Sequence, residues 1–215
     1  MNLYSTITDA VRRHGGRTAI AYGARSATYA EFDAVAAALG ERFAALGCAP
    51  GDRVLLFLKN GYEYPFLMLA VMRAGLVVVP VNAKLHPREA AWIAGNATPK
   101  LIFTHAEHVA AVREALPEGV APHIVAIEDF ELPAPAADVA LPAEVGADEP
   151  AWIFYTSGTT GRPKGATLTH RNLVACTVNC LADIFDFRAS DRVLHVAPLS
   201  HGGGLYLIPS LARGA

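Results

Sequence analysis

Unbroken apolar runs that cannot face water on either side decide the architecture open to this chain. Residues 53–58 (Arg-Val-Leu-Leu-Phe-Leu) and 77–81 (Val-Val-Val-Pro-Val) lack polar alternation, so each reads as a strand buried on both faces. Residues 62–74 between them read as a helix. The pattern then repeats: Pro87 opens a helix through Ala94, 101–104 is a strand, 107–116 a helix and 124–127 a strand. Apolar runs alternating with helices build βαβ units. The expected fold class is therefore α/β, with mainly parallel sheet layers and flanking helices. Upstream, residues 19–22 and 26–29 flank a Gly-Ala-Arg turn and suit a hairpin. Thr28 then opens a helix with a capping box, because Glu31 three residues on can return a bond to the Thr28 amide. Phe32, Val35, Ala36, Leu39, Phe43 and Leu46 recur at helical spacing, and Gly47 suits the cap.

At 215 residues there is room for a substantial core, in one large domain or two small ones. Apolar residues make up 53% and charged residues 18%, a balance that disfavours disorder. A formal net charge of −2 leaves no basic footprint for nucleic acid. Three cysteines (Cys48, Cys176, Cys180) do not make a disulfide framework, and a reducing, cytoplasmic setting is expected. Residues 1–16 lack the apolar centre of a signal peptide. The one membrane-like stretch, 65–83, carries Arg73 near its middle, where lipid burial would cost at least ~2.5 kcal/mol. Gly75 and Pro80 divide it further, so helix followed by buried strand is expected, with no membrane span. Residues 132–150 are rich in Pro and Ala and read as a surface crossing before the buried strand Ala-Trp-Ile-Phe at 151–154. Thr169 caps a helix to about Ala182, 193–196 is strand-like, and 205–212 is apolar with Pro209 interrupting it.

Directly after residue 154 the chain reads Tyr-Thr-Ser-Gly-Thr-Thr-Gly-Arg-Pro-Lys-Gly, residues 155–165. Glycines permit positive φ and close backbone approach, and successive N–H groups in such turns form anion-binding nests. Lys164 adds a point charge at the far end. The ligand this suits is a polyphosphate, against the alternative of a plain Gly/Ser/Thr/Pro connector. The spacing is not Walker A, because Arg162-Pro163 precede Lys164 and Gly165 follows it. Nor is Ser157 a nucleophile elbow, since Tyr155 occupies the place of the first glycine.

Residues 155–166, with Thr169-His170-Arg171-Asn172 close behind, resemble the phosphate-loop signature of adenylate-forming enzymes. That superfamily comprises acyl-CoA synthetases, firefly-type luciferases and peptide-synthetase adenylation domains. The same resemblance extends to Thr-Tyr-Ala-Glu-Phe at 28–32, Ala-Gly-Leu-Val-Val-Val-Pro-Val-Asn at 74–82 and Pro-Leu-Ser-His-Gly-Gly-Gly at 198–204. It implies a partial large N-terminal domain of the acyl-CoA synthetase/luciferase-like fold. It also implies that Thr156, Ser157, Gly158, Thr159, Thr160, Gly161 and Lys164 hold the β- and γ-phosphates of ATP, with Lys164 near the departing pyrophosphate. Breaking the bond between α- and β-phosphates develops charge on pyrophosphate, where preorganised donors stabilise it. His201 would lie beside the carboxylate and reactive phosphate and gate an acyl pocket lined by Gly202, Gly203, Gly204 and Tyr206. His201 and Lys164 are thus the expected catalytic residues. No aspartate in this segment matches the amino-group anchor of peptide-synthetase domains, which favours a plain carboxylic acid.

The resemblance further implies ATP, Mg2+ to offset phosphate charge and CoA as co-substrate, in an AMP-forming acid–thiol ligase. Loading of a carrier protein is one alternative. A non-catalytic nucleotide-binding fragment is another. Blander readings stand for the remaining polar residues. Arg162 reads as solvated, the glycine run also suits a flexible turn, and His195 reads as packed. His105, His108 and His123 show no metal-ligand spacing, and Cys176 with Cys180 reads as small apolar packing rather than a zinc pair. Family members run to more than twice this length, and an α/β unit stopping at Gly214-Ala215 would normally continue into another strand. An N-terminal piece is expected: 1–131 a first α/β part, 132–150 the crossing and 151–215 the phosphate-loop part, without the C-terminal domain. Such a piece would not catalyse alone, and its unpaired sheet edge would favour poor solubility or a homodimer.

Overall fold

The computed structural model describes residues 2–156 and 163–215. Helix α1 (Ser5–His14) leads into a hairpin of β1 (Thr18–Tyr22) and β2 (Arg25–Thr28), followed by α2 (Tyr29–Ala45). Then come β3 (Arg53–Leu58), α3 (Glu63–Arg73), β4 (Val77–Asn82), α4 (Pro87–Ala97), β5 (Leu101–Thr104), α5 (Ala106–Ala115) and β6 (His123–Ala126). Irregular chain crosses to β7 (Pro150–Thr156), and β8 (Lys164–Thr169), α6 (His170–Asn179) and α7 (Gly202–Ala212) follow. The main sheet has the order β6-β5-β3-β4-β7-β8. Every neighbouring pair in it is parallel except β7 and β8, which run antiparallel. The α/β, mainly parallel expectation holds.

Side-chain alternation explains why β3 and β4 must be central. Val54, Leu56 and Leu58 of β3 and Val78 of β4 pack into one core with α1, α2 and α3. Leu55 and Phe57, with Val79 and Val81, point the other way into a second core under α4 and α5. A strand with a helical layer on each face has no side to give to water, so its sequence is apolar throughout. Helix α3 is buried from Tyr64 to Arg73 because α2 and the sheet enclose it. Arg73 is tolerated there by its partners: Nε donates to Asp33 Oδ1 at 3.2 Å, and the Tyr4 hydroxyl donates to the same oxygen at 2.9 Å. Residues 65–83 are thus helix, a Gly75 turn at φ +73° and buried strand. No helix among the described residues is long and apolar enough to cross a membrane.

Local punctuation works as the residue types dictate. The Thr28 side chain accepts from the Glu31 amide while the Glu31 carboxylate accepts from the Thr28 amide, and Gly47 follows α2 at φ +82°. Three expectations need correction. β8 is not legible as a strand, because four of its six residues are small or hydroxylic and its pattern is not apolar. Residues 193–196 do alternate inward and outward but have no partner strand among the described residues, so they are extended chain and not a strand. The glycine run at 202–204 is the first turn of α7, and that helix continues through Pro209. Helix α4 also runs three residues beyond Ala94, to Ala97.

Candidate functional site

Strands β3, β4, β5 and β7 are parallel, so their carboxyl ends meet at one end of the sheet. In open α/β sheets that end is where ligands bind. Thr156 is the last residue of β7 and lies directly opposite Lys164, the first of β8. The two candidates thus form the last registered pair of β7 and β8, with residues 157–162 between them in the sequence. Ser157, Gly158, Thr159, Thr160, Gly161 and Arg162 lie outside the described residues.

Strands β7 and β8 are anchored to the helices on either side of them. Tyr155 Oη donates to Asn96 Oδ1 at 2.5 Å, fastening β7 to α4, and the Trp92 ring meets Tyr155 edge-on at 6.5 Å. Burial pushes the Tyr155 phenol up, so it stays a donor. Its ring needs room across the strand, which explains Gly165: a Cβ there would stand 2.9 Å from Ile153 Cγ2 and 3.0 Å from Tyr155 Cζ. Beyond β8, the Thr169–Asn172 capping box starts α6, and Arg171 grips Asp148 through bonds of 2.7 and 2.9 Å. His170 beside them is fully buried; its Nδ1 accepts from the Leu3 amide at 3.0 Å. Burial holds that imidazole down at about 4, so it is neutral.

His201 reaches the same end of the sheet from the other side of the sequence. It stands just before α7, exposed, with its ring edge-on to Phe154 at 4.8 Å. Phe154 is two residues from Thr156. His201 thus packs on the residue two positions before Thr156, which is itself paired with Lys164. Gly203 and Gly204 are buried, and close packing accounts for both. A Cβ on Gly203 would lie 2.7 Å from the Ala197 carbonyl oxygen, and one on Gly204 would lie 2.2 Å from that of Leu199. Gly202 is unobstructed. Tyr206, half exposed, joins Phe185 and Phe187 in a three-ring cluster with centroids 5.3 and 4.7 Å apart.

Sequence reasoning missed Asn60. Its Nδ2 donates to the Ala197 carbonyl at 3.0 Å, and its Oδ1 accepts from the Leu199 amide at 2.8 Å. The available signal was a lone amide just past the carboxyl end of an apolar strand. His105 does not join the site chemistry: its Nδ1 meets Glu128 Oε1 at 2.7 Å and its Nε2 accepts from the Lys59 amide at 3.2 Å. His195 is half-buried beside a cleft of about 660 Å³ bounded by Ile20, Pro65, Leu199 and Leu207. Burial lowers its pKa, and the Gly203 backbone pulls the other way. Cys48, Cys176 and Cys180 are free thiols, and no cluster of three or more His, Cys, Asp or Glu among the described residues could hold a metal ion.

With this geometry in hand, the family model for AMP-binding enzyme matches residues 7–215. The chain belongs to the AMP-binding enzyme family. Relatives of this AMP-binding chain include a sulfoacetate–CoA ligase of Cupriavidus necator, 41% identical over 181 residues, which covers 79% of this chain and 34% of the relative. A feruloyl-CoA synthase of an Amycolatopsis species is 38% identical over 202 residues, covering 92% and 39% respectively. The inhibitor-bound N-terminal domain of FACL13 from Mycobacterium tuberculosis superposes with a TM-score of 0.87 at 30% identity, over 99% of this chain and 55% of that one. The AMP-binding chain thus spans between a third and two fifths of the length of these curated relatives.

Proposed function

We propose that this chain supplies the ATP-phosphate side of an AMP-forming acid–thiol ligase. The observation that carries the reading is the closing pair Thr156–Lys164 at the carboxyl end of the sheet, with His201 held on Phe154 beside it. The donor set fits a polyphosphate: an exposed ammonium, the Thr156 hydroxyl and, from the sequence, the hydroxyls and amides of Ser157, Gly158, Thr159, Thr160 and Gly161. In the proposed first step a carboxylate oxygen attacks the α-phosphorus of ATP, the α–β bridging bond breaks, and acyl-adenylate and pyrophosphate form. Lys164 and the loop take up the charge that develops on pyrophosphate. His201 lies on the carboxylate side, with Gly202, Gly203, Gly204 and Tyr206 around the acyl group. In the second step a CoA thiolate attacks the acyl carbon and AMP leaves. CoA is favoured over a carrier protein because both named relatives are CoA ligases. Mg2+ would enter as the counter-ion of ATP, offsetting phosphate charge.

The test is pyrophosphate release from ATP with a panel of aliphatic, aryl and sulfonated acids. Acid-dependent release that falls about a hundredfold or more in Lys164→Ala, the size expected for one lost charge-stabilising donor, supports the reading. Release with no acid in the panel, by the chain or by a longer protein that contains it, counts against it. A second reading is nucleotide binding without turnover. Calorimetric ATP binding by residues 1–215 with no adenylate formed would select it.

A further inference from the structure

Among the described residues, the side-chain hydrogen bonds that tie the turn before α7 to the main sheet come from Asn60, just past the end of β3. Residues 197–199 belong to no strand, and the extended stretch before them has no pairing partner among the described residues. Yet Leu199 and Ser200 are buried. Inside the turn, the His201 amide donates to the Pro198 carbonyl at 3.0 Å and the Gly204 amide to the His201 carbonyl at 3.0 Å. These bonds shape the turn but do not attach it to the sheet. Beside the packing of Leu199 in the core and of His201 on Phe154, the polar attachment is Asn60, whose carboxamide takes one donor and one acceptor from alternate residues, Leu199 N–H and Ala197 C=O, at 2.8 and 3.0 Å. Such two-point capture fixes rotation as well as distance. Asn60 is itself placed from behind, since His105 accepts from the Lys59 amide while Glu128 takes the other ring nitrogen and the Ala106 amide. Glycines 203 and 204 then bring the first turn of α7 against the carbonyls of 197–199.

We propose that Asn60 is a positioning residue: by clamping Ala197 and Leu199 it sets the His201 imidazole against Phe154 at the mouth of the Thr156–Lys164 hairpin. The claim about position stands on the geometry alone. Its meaning for catalysis rests on the proposed role of His201.

The test uses Asn60→Ala, which removes both bonds, and the isosteric Asn60→Asp, which keeps an acceptor for Leu199 but has no donor for Ala197. Hydrogen exchange at the Leu199 amide reads the clamp, and the ring-current shift of the His201 imidazole protons reads its placement over Phe154. In Asn60→Ala, Leu199 exchange is expected to rise about tenfold and the His201 shift to collapse, as follows from losing a half-buried bond that local opening must otherwise break. Asn60→Asp should keep most Leu199 protection yet move the His201 shift. Asn96→Ala, which frees the Tyr155 hydroxyl, should leave both signals in place. If Asn60→Ala fails to fold, the Asp variant still decides. Unchanged Leu199 exchange and unchanged His201 shifts overturn the proposal, whatever the turnover. Where the protein makes pyrophosphate, Asn60→Ala should raise the KM for the acid and lower kcat while leaving ATP affinity unchanged, and equal kcat/KM would overturn the catalytic meaning. If the signals move but no acid is ever activated, the ligase reading alone falls.

Discussion

At Gly204 a methyl group would stand 2.2 Å from the Leu199 carbonyl oxygen and 2.8 Å from the Trp152 ring. Neither can yield: one is backbone in a clamped turn and the other a fully buried indole. Gly204→Ala should therefore cost about 3 kcal/mol, the upper end for overpacking, as read from urea unfolding, whereas Gly202→Ala, which meets nothing, should cost far less. His170 supplies a prediction of a different kind. Its imidazole is held near 4 when folded against an ordinary 6.5, so the unfolded chain binds more protons between those values. The stability it contributes is fully present above about 6.5 and is lost as pH falls toward 4. Urea midpoints across that window should fall more steeply in the native protein than in His170→Asn, by at most about 1.4 kcal/mol per pH unit. Asn offers the Leu3 amide an acceptor without titrating. Parallel pH profiles would refute the assignment.

The elements that could be read from sequence are those whose signal is local. The Thr28–Glu31 box is the clearest, and Thr28→Ala should destabilise by about 1 kcal/mol in the same urea assay, with Glu31→Gln costing less because an amide oxygen can still accept. Strands β3 and β4 were legible because both faces are covered, and α3 because nothing but helix accommodates its length of apolar residues before Gly75. β8 was not legible. Its edge position leaves Lys164, Gly165, Ala166 and Thr167 exposed, so no burial constrains their residue types. Residues 193–196 misled for the opposite reason: inward and outward sides alternate as in a strand, but the hydrogen-bonding partner that defines one is missing among the described residues. At the site, the Gly/Ser/Thr block and His201 stood out by type and by family resemblance. Asn60 did not, because its role comes from a turn far along the chain that sequence alone cannot place beside it.

Over the whole molecule the apolar surface is unevenly distributed. Leu194 is 86% and Val196 79% exposed, next to the half-buried lining of the large cleft. Large apolar side chains displayed side by side on extended, unpaired backbone promote self-association. Leu194→Lys with Val196→Lys should raise the concentration at which light scattering sets in, with a urea midpoint equivalent to within about 0.5 kcal/mol of the native value. Scattering identical to the native chain would show that another face is responsible. A last consequence concerns time. Strands β3 to β6 find partners that are near neighbours in the chain, whereas β7 meets β4 at one registered pair, Val78 and Trp152, only after α4, β5, α5, β6 and the Pro/Ala-rich crossing have been laid down. Closing so long a loop costs more entropy than pairing neighbours, so the hairpin bearing Thr156 and Lys164 is expected to dock after β3 to β6, an order that pulse-labelled hydrogen exchange would read. Ligand capture there and the final stage of folding draw on the same free energy, and each completes the other.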